Sequence, residues 1–410
     1  MEFGIEAINA YAGRAMLDVR RLFQARGLDA GRFGNLMMRE KSVNLPCEDP
    51  VTNAVNAARP LVDALPPGRR ARIELVVVGT ESGIDFGKPL STYVHHHLGL
   101  DRRCRSFEVK HACYGGTAAL RAALGILAAG GAPDALALVV AADAASAAAR
   151  DTYWEPSQGA GAVAMLVSGR PGVLEPDPGA SGCYSYEVMD TCRPRPDLES
   201  GDSDLSLLSY LHCLEQSWAG YAARVRDACI VGTFDYLVFH TPFAGMVRGA
   251  HRTLLRRLRR AAPAQIDADF QARLAPSLEY CARVGNVYSA ALYLALCSLI
   301  DHGDFSGPRR VGLFSYGSGC AAEFYSGVVP AGARERLAGH GIGAALDARL
   351  PLSIGEYETV SDLALERMCG VEDAACDPAP YASVYERAME GRGLLVLDRI
   401  RRFHREYRWS

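Results

Sequence analysis

Four residues have the type and the placement to do chemistry together: Cys113, Glu81, His240 and Asn286. Cys113 opens the run Cys-Tyr-Gly-Gly-Thr at 113–117, after an extended stretch (SFEVKH, 106–111) and ahead of an Ala/Leu-rich helical pattern closed by glycines (AALRAALGILAAGG, 118–131). A helix N-terminus carries about half a positive charge, which favours a thiolate. Gly115 and Gly116 leave room for a substrate, and backbone N–H groups at the turn can receive the oxygen of a thioester formed on the sulfur. Glu81 follows VVVGT (76–80), at the carboxyl end of a buried strand, where open α/β sheets assemble their sites. Partial burial there raises a carboxyl pKa and makes a general acid/base. His240 ends LVFH (237–240) much as Glu81 follows its own strand, and Asn286 stands before VYSAALYLALCSLI (287–300) as Cys113 stands before its helix. Taken singly, each has a plainer reading: an inert buried thiol, a helix-start carboxylate, a hydrogen-bonded structural histidine, a helix cap. Their shared placement at strand ends and helix starts is what singles them out.

The elements that must position them follow from periodicity. Short β-branched or apolar runs at 72–80, 106–111, 135–142 and 158–168 read as strands, as do 235–240, 310–315 and 321–329 later in the chain. Strand, small-residue turn, apolar helix, strand, Gly-rich turn, strand occurs twice. Strands alternating with helices predict an α/β protein with mostly parallel buried sheets covered by helices. Two such halves packed together give five layers, α/β/α/β/α, with side chains converging at the seam. The expected division is an N-terminal half at 1–170, a linker loop and helix at 171–227, and a C-terminal half at 228–410. The Pro-, Gly-, Asp- and Ser-rich stretch 171–204 reads as mostly loop, and 205–226 as an amphipathic helix capped by Asp202 or Ser203. The tail 391–410 holds a strand, LLVLD, and a basic aromatic end.

Composition narrows the function. The chain has 410 residues, 49% of them hydrophobic and 22% charged, with a net charge of −3, so no global field favours nucleic acid or membrane. The first 18 residues lack a signal-peptide pattern, and apolar runs such as 135–142 are too short to span a bilayer. Twelve cysteines without CxxC spacing argue against zinc ribbons and a disulfide framework and suit a reducing cytoplasm. His95, His96 and His97 are adjacent on one element and cannot all face one ion, so no metal site is expected. The Gly-rich turns at 115–116 and 317–319 lack the spacing of nucleotide loops. Arg248, His251, Arg252, Arg256 and Arg257 form a basic helical stretch, either a solvated face or a contact for a phosphate or an acidic partner.

Six motifs then occur in order: VVVGTESGID (76–85), ACYGGTAAL (112–120), QGAGAVAMLVS (158–168), VFHTPFAGM (238–246), GNVYSAALYLAL (285–296) and FSYGSGCAAEFYS (314–326). Together they resemble the 3-hydroxy-3-methylglutaryl-CoA synthases, whose fold is thiolase-like. EAINAY (6–11), KSVNLPCEDPVTNAVNAA (41–58), EVMDTCRP (187–194), GDSDLSLLSYL (201–211) and FHREYRWS (403–410) are similar to the branch that serves polyketide assembly lines, the hydroxymethylglutaryl-acyl-carrier-protein synthases. The resemblance implies that Cys113 accepts acetyl from a donor carrier protein and that Glu81 removes a methyl proton from acetyl-Cys113. The resulting carbanion attacks the β-ketone of a carrier-bound polyketide, and Glu81 then serves as acid. His240 polarises the acceptor, and water releases the product. Asn286, Asp143 and Asp190 match supporting polar positions, and the N–H groups of Cys113 and Ser318 an oxyanion hole. No bound cofactor or metal is implied; the phosphopantetheine arm arrives on the carrier, with Arg248 and Arg252 as candidate contacts, and the protein is expected to be a cytoplasmic homodimer. Two departures stand out: His111 in place of a glutamine, and a loose match over 142–156 around Asp143. The competing functions are the mevalonate-pathway synthase acting on CoA thioesters, another thiolase-fold enzyme such as a ketoacyl synthase, and a non-catalytic carrier-binding module.

Overall fold

Alternation along single strands sets the architecture. In Ile73–Gly79, Leu75 and Val77 point into one apolar cluster and Val76 and Val78 into another, so both faces of the strand are buried and the run is continuously hydrophobic. The computed structural model of the chain describes residues 3–410 except 131, 133, 145 and 260; Gly131 and Ala145, within stretches considered above, lie outside the described residues. The first sheet has the spatial order Gly4–Tyr11, Gly161–Ser168, Leu136–Asp143, Ile73–Gly79, Arg105–Val109. The second has the order Glu175–Ser185, Ala321–Val329, Arg309–Gly317, Tyr236–Phe239. Position for position, the second sheet repeats the first four strands of the first.

Helices Pro50–Asp63 and Leu90–His97 cover the outer face of the first sheet. Helices Gly115–Gly130 and Ala291–His302 fill the space between the sheets, and Ser203–Arg224 and Ala244–Arg259 cover the second sheet. This is the expected five-layered α/β/α/β/α body. The segment Ala112–Gly130 is long and apolar enough to cross a membrane by length and composition, unlike the shorter runs considered above. Here it packs between the sheets, and its Arg121 pairs with Glu323 at 2.6 Å.

Three sequence expectations change. The sheets are mixed rather than mostly parallel: Ile73–Gly79 is parallel to both neighbours and Tyr236–Phe239 to Arg309–Gly317, while the other pairings are antiparallel. Arg309–Gly317 and Ala321–Val329 are separated by only three residues, a connection too short for a parallel crossover. The stretch 171–204 is not mostly loop. Glu175–Ser185 is the edge strand of the second sheet, and Thr191–Arg195 pairs with Leu198–Gly201 in a small hairpin. Pro176 and Pro178 disguise that strand, and an edge tolerates them. The basic aromatic tail is itself a strand, His404–Trp409, paired with Leu395–Arg401. The predicted helix capped by Asp202 is present, with the Asp202 carboxylate accepting from the N–H groups of Asp204 and Leu205.

Candidate active site

The first half brings Glu81 and Cys113 together. Strand Ile73–Gly79 ends just before Glu81, and the parallel neighbour Arg105–Val109 delivers the turn that holds Cys113. The Cys113 thiol donates to Glu81 Oε2 at 3.5 Å. Burial raises Glu81 to about 8, opposed by the Arg193 guanidinium and reinforced by the charges of Asp143 and Glu199. Burial and the neighbouring Glu81 carboxylate push the Cys113 thiol well above its usual range. A thiolate held by the helix N-terminus is therefore not what forms. The helix begins at Gly115, beyond the cysteine, and the ionisable group in contact with the sulfur is the Glu81 carboxyl rather than a cation, so Cys113 rests as a neutral thiol beside Glu81.

Of the two glycines after the nucleophile, Gly116 serves the seam between halves rather than substrate access, while a Cβ on Gly115 would meet only ordinary contacts. A Cβ on Gly116 would lie 2.2 Å from the Ser289 carbonyl oxygen, and one on Gly79 2.4 Å from that of Gly115. Any side chain at either position would push the nucleophile turn off its supports. Asp143, fully buried, ties both halves to this point. Its Oδ1 accepts from Thr80 Oγ1 at 3.0 Å, Glu81 N at 2.9 Å and Ser82 Oγ at 2.8 Å; its Oδ2 accepts from Ser289 N at 3.0 Å and Ser289 Oγ at 2.5 Å. With both oxygens engaged by protein, Asp143 is a clamp on the Glu81 loop.

The second half supplies the other polar groups. His240 follows strand Tyr236–Phe239, and its backbone carbonyl accepts from Tyr210 Oη at 2.7 Å. Its ring is buried, with Nδ1 lacking a partner, and burial pushes its pKa down to about 3, so the imidazole is neutral. Asn286 sits before the helix, separated from it by the 3₁₀ turn Tyr288–Ala290, and its Oδ1 accepts from Tyr288 N at 2.9 Å. Asp190 accepts from Tyr316 Oη at 2.6 Å and Gly319 N at 3.0 Å, holding the turn that contains Ser318. That turn abuts the nucleophile: a Cβ on Gly317 would lie 2.5 Å from Tyr114 N. Ser318 thus stands beside the Cys113 turn, while Asp190 acts from behind it.

Sequence reasoning assigned no role to Arg193 and Glu199. Both lie on the hairpin Thr191–Arg195/Leu198–Gly201, inside the stretch read as loop. Arg193 Nη2 is 3.2 Å from Glu81 Oε1 and 2.8 Å from Glu199 Oε2. The only signal in the sequence was an arginine in the motif EVMDTCRP. A cavity of about 370 Å³ adjoins this pair, with Glu81, Ile84, Ala147, Arg193 and Arg405 among its walls. Among the described residues no group of His, Cys, Asp and Glu is arranged to hold a metal, and His97 instead packs edge-on against Tyr407. In the basic helix, Arg248 pairs with Asp267 at 3.1 Å, Arg252 is exposed, and His251 is buried against Asp269 at 2.6 Å rather than part of a solvated face.

A duplicated α/β body with a thiol, a carboxyl and a neutral imidazole at its strand ends defines a thiolase-type condensing enzyme. The hydroxymethylglutaryl-coenzyme A synthase N-terminal family matches residues 1–171 and the C-terminal family residues 251–363, and the chain belongs to the hydroxymethylglutaryl-CoA synthase family. It is 50% identical to the polyketide biosynthesis 3-hydroxy-3-methylglutaryl-ACP synthase of Bacillus subtilis, over 99% of each chain. It is 36% identical to a hydroxymethylglutaryl-CoA synthase of Enterococcus faecalis, over 88% of this chain and 91% of that one. The solved curacin-pathway HMG synthase in complex with acetyl donor-ACP superposes with a TM-score of 0.97 at 51% identity, covering 100% of both chains.

Proposed function

We propose that the protein is a hydroxymethylglutaryl-acyl-carrier-protein synthase that installs β-branches on carrier-bound polyketides. The observation that carries this reading is the 3.5 Å contact between the Cys113 sulfur and Glu81 Oε2, in a chain similar over its full length to a polyketide-biosynthesis synthase. Cys113 attacks the acetyl thioester of a donor carrier, forming acetyl-Cys113 and releasing the carrier's phosphopantetheine thiol. Glu81 takes a proton from the acetyl methyl, the carbanion forms the new C–C bond at the acceptor's β-ketone, and Glu81 returns the proton to the alkoxide. Water then cleaves the Cys113 thioester, freeing the carboxylate of the branch and restoring the thiol. The reaction needs no bound cofactor or metal. The Cys113 and Ser318 N–H groups form the oxyanion pocket, and Asn286 orients the acceptor. Arg252, exposed and without an ion-pair partner among the described residues, suits a carrier or phosphopantetheine contact better than Arg248, which Asp267 occupies. The protein works in the cytoplasm, which its twelve unpaired cysteines suit, and as a homodimer, a reading supported by the outer edge of Arg105–Val109, which pairs with no strand among the described residues.

Intact-mass spectrometry with peptide mapping tests the donor. An acetyl adduct on Cys113 forms from acetyl-carrier protein and not from acetyl-CoA. Efficient labelling from CoA would instead indicate the mevalonate-type reaction, and labelling from neither would indicate a binding module.

His240 acts on the acceptor. His240→Ala lowers kcat/KM for a β-ketoacyl carrier by about 10²–10³-fold, while acetyl loading of Cys113 is unchanged. Because the ring stays neutral above about 3, wild-type turnover shows no histidine limb near pH 6.5. Paired pH profiles of the two proteins check this.

A further inference from the structure

Glu81 has two oxygens with different partners. Oε2 meets the Cys113 sulfur at 3.5 Å, and Oε1 meets Arg193 Nη2 at 3.2 Å. Arg193 Nη1 also donates to the Glu81 carbonyl oxygen at 3.3 Å, so one guanidinium holds the residue by side chain and backbone. The same Nη2 donates to Glu199 Oε2 at 2.8 Å, and the guanidinium lies 5.1 Å from the centre of the Tyr288 ring. Tyr288 Oη in turn approaches Glu199 at 3.5 Å. Arg193 and Glu199 are both largely buried, at 12% and 9% side-chain exposure, so water screens the pair little.

We infer that Arg193 and Glu199 are positioning residues for Glu81: Arg193 fixes Oε1 so that Oε2 alone faces the reacting sulfur, and Glu199 divides the arginine's charge. The inference rests on the proposed function only for its kinetic consequence. The electrostatic logic is elementary. A lone guanidinium at this distance holds a carboxylate ionised and makes it a poor acid. Sharing it with a second carboxylate leaves the trio with a net negative charge, so Glu81 can both take and return a proton near neutral pH. Among the described residues the other charged or titratable groups facing Glu81 are Cys113, Asp143 and Tyr288; Asp143 already accepts five hydrogen bonds, and burial raises the Tyr288 phenol well above its usual range, so it stays neutral across the pH range tested. This leaves the hairpin pair as the adjustable element.

Removing either member moves the site in opposite directions, which a merely structural role does not do. The first readout needs no substrate: the rate of Cys113 alkylation by iodoacetamide, followed by mass across pH 6–10. Arg193→Met slows alkylation at pH 9 roughly tenfold and moves the profile to higher pH, because an attractive cation has gone. Glu199→Gln speeds it roughly tenfold and moves the profile to lower pH. Arg193→Lys keeps the charge and stays near wild type. The second readout is the pH profile of condensation, whose basic limb shifts in the same two directions. Parallel shifts in Arg193→Met and Glu199→Gln, or loss of rate equally at all pH values, would overturn the inference. Correct alkylation shifts in a protein that forms no condensation product would sink the proposed function and leave the pair's role standing.

Discussion

Cys113→Ala protein takes up no acetyl group and forms no condensation product, a loss on the order of 10⁴-fold or more. The expectation rests on position. Among the described residues Cys113 is the cysteine whose thiol donates to a carboxylate, and it is only partly covered. Cys47, Cys213, Cys281, Cys297, Cys320 and Cys376 are buried and, among the described residues, none of them hydrogen-bonds to Glu81 or another carboxylate that could accept the thiol proton, so none of these can take over. The small alanine leaves the turn intact, since the contacts that seat it are made by Gly79, Gly116 and Gly317. Intact mass after incubation with acetyl-carrier protein, beside single-turnover product analysis, measures both losses. An adduct persisting in the variant would place the nucleophile elsewhere.

Glu81→Gln separates the half-reactions. The variant still receives acetyl on Cys113, but condensation falls by about 10³-fold, within the range for loss of a general acid/base, and acetyl-enzyme accumulates. Glutamine preserves the shape and can still meet Arg193 through its oxygen, so the effect isolates proton transfer. The pH dependence has a definite sign. Only ionised Glu81 removes a methyl proton, and its pKa is raised to about 8. Exchange of the acetyl-Cys113 methyl protons with deuterium therefore climbs about tenfold per pH unit below 8 and levels above it, whereas the glutamine variant is flat. The same raised pKa makes the folded protein hold a proton that the unfolded chain releases near 4.5, so this group lowers stability as pH rises from 4.5 to 8. Glu81→Gln removes that contribution, which denaturant unfolding at pH 5 and pH 8 detects. Condensation surviving at wild-type rate would show that another group moves the proton.

What the sequence determined by itself is local. The β-branched run before Glu81, the turn at Cys113, the strand before His240 and the helix capped by Asp202 all follow from side-chain periodicity and turn chemistry within a few residues. They form as read because both faces of those strands are buried. The repeat of small-residue turns was enough to place the four polar residues at equivalent ends of two halves. What only the tertiary structure decided depends on partners far apart in the chain. Apart from Arg309–Gly317 and Ala321–Val329, whose short connection dictates it, the antiparallel pairings in the two large sheets arise from which distant strands meet, and a one-dimensional pattern does not encode that. Pro176 and Pro178 hid an edge strand because their tolerance depends on having a free side. Gly116 looks like substrate clearance until Ser289 is seen against it. The state of Cys113 turned from thiolate to neutral thiol for the same reason: the helix dipole is local and legible, but the carboxylate that outweighs it stands 32 residues away along the chain and 3.5 Å away in space. Arg193 and Glu199 were invisible as a pair because a charge acquires a role only when folding removes water from around it.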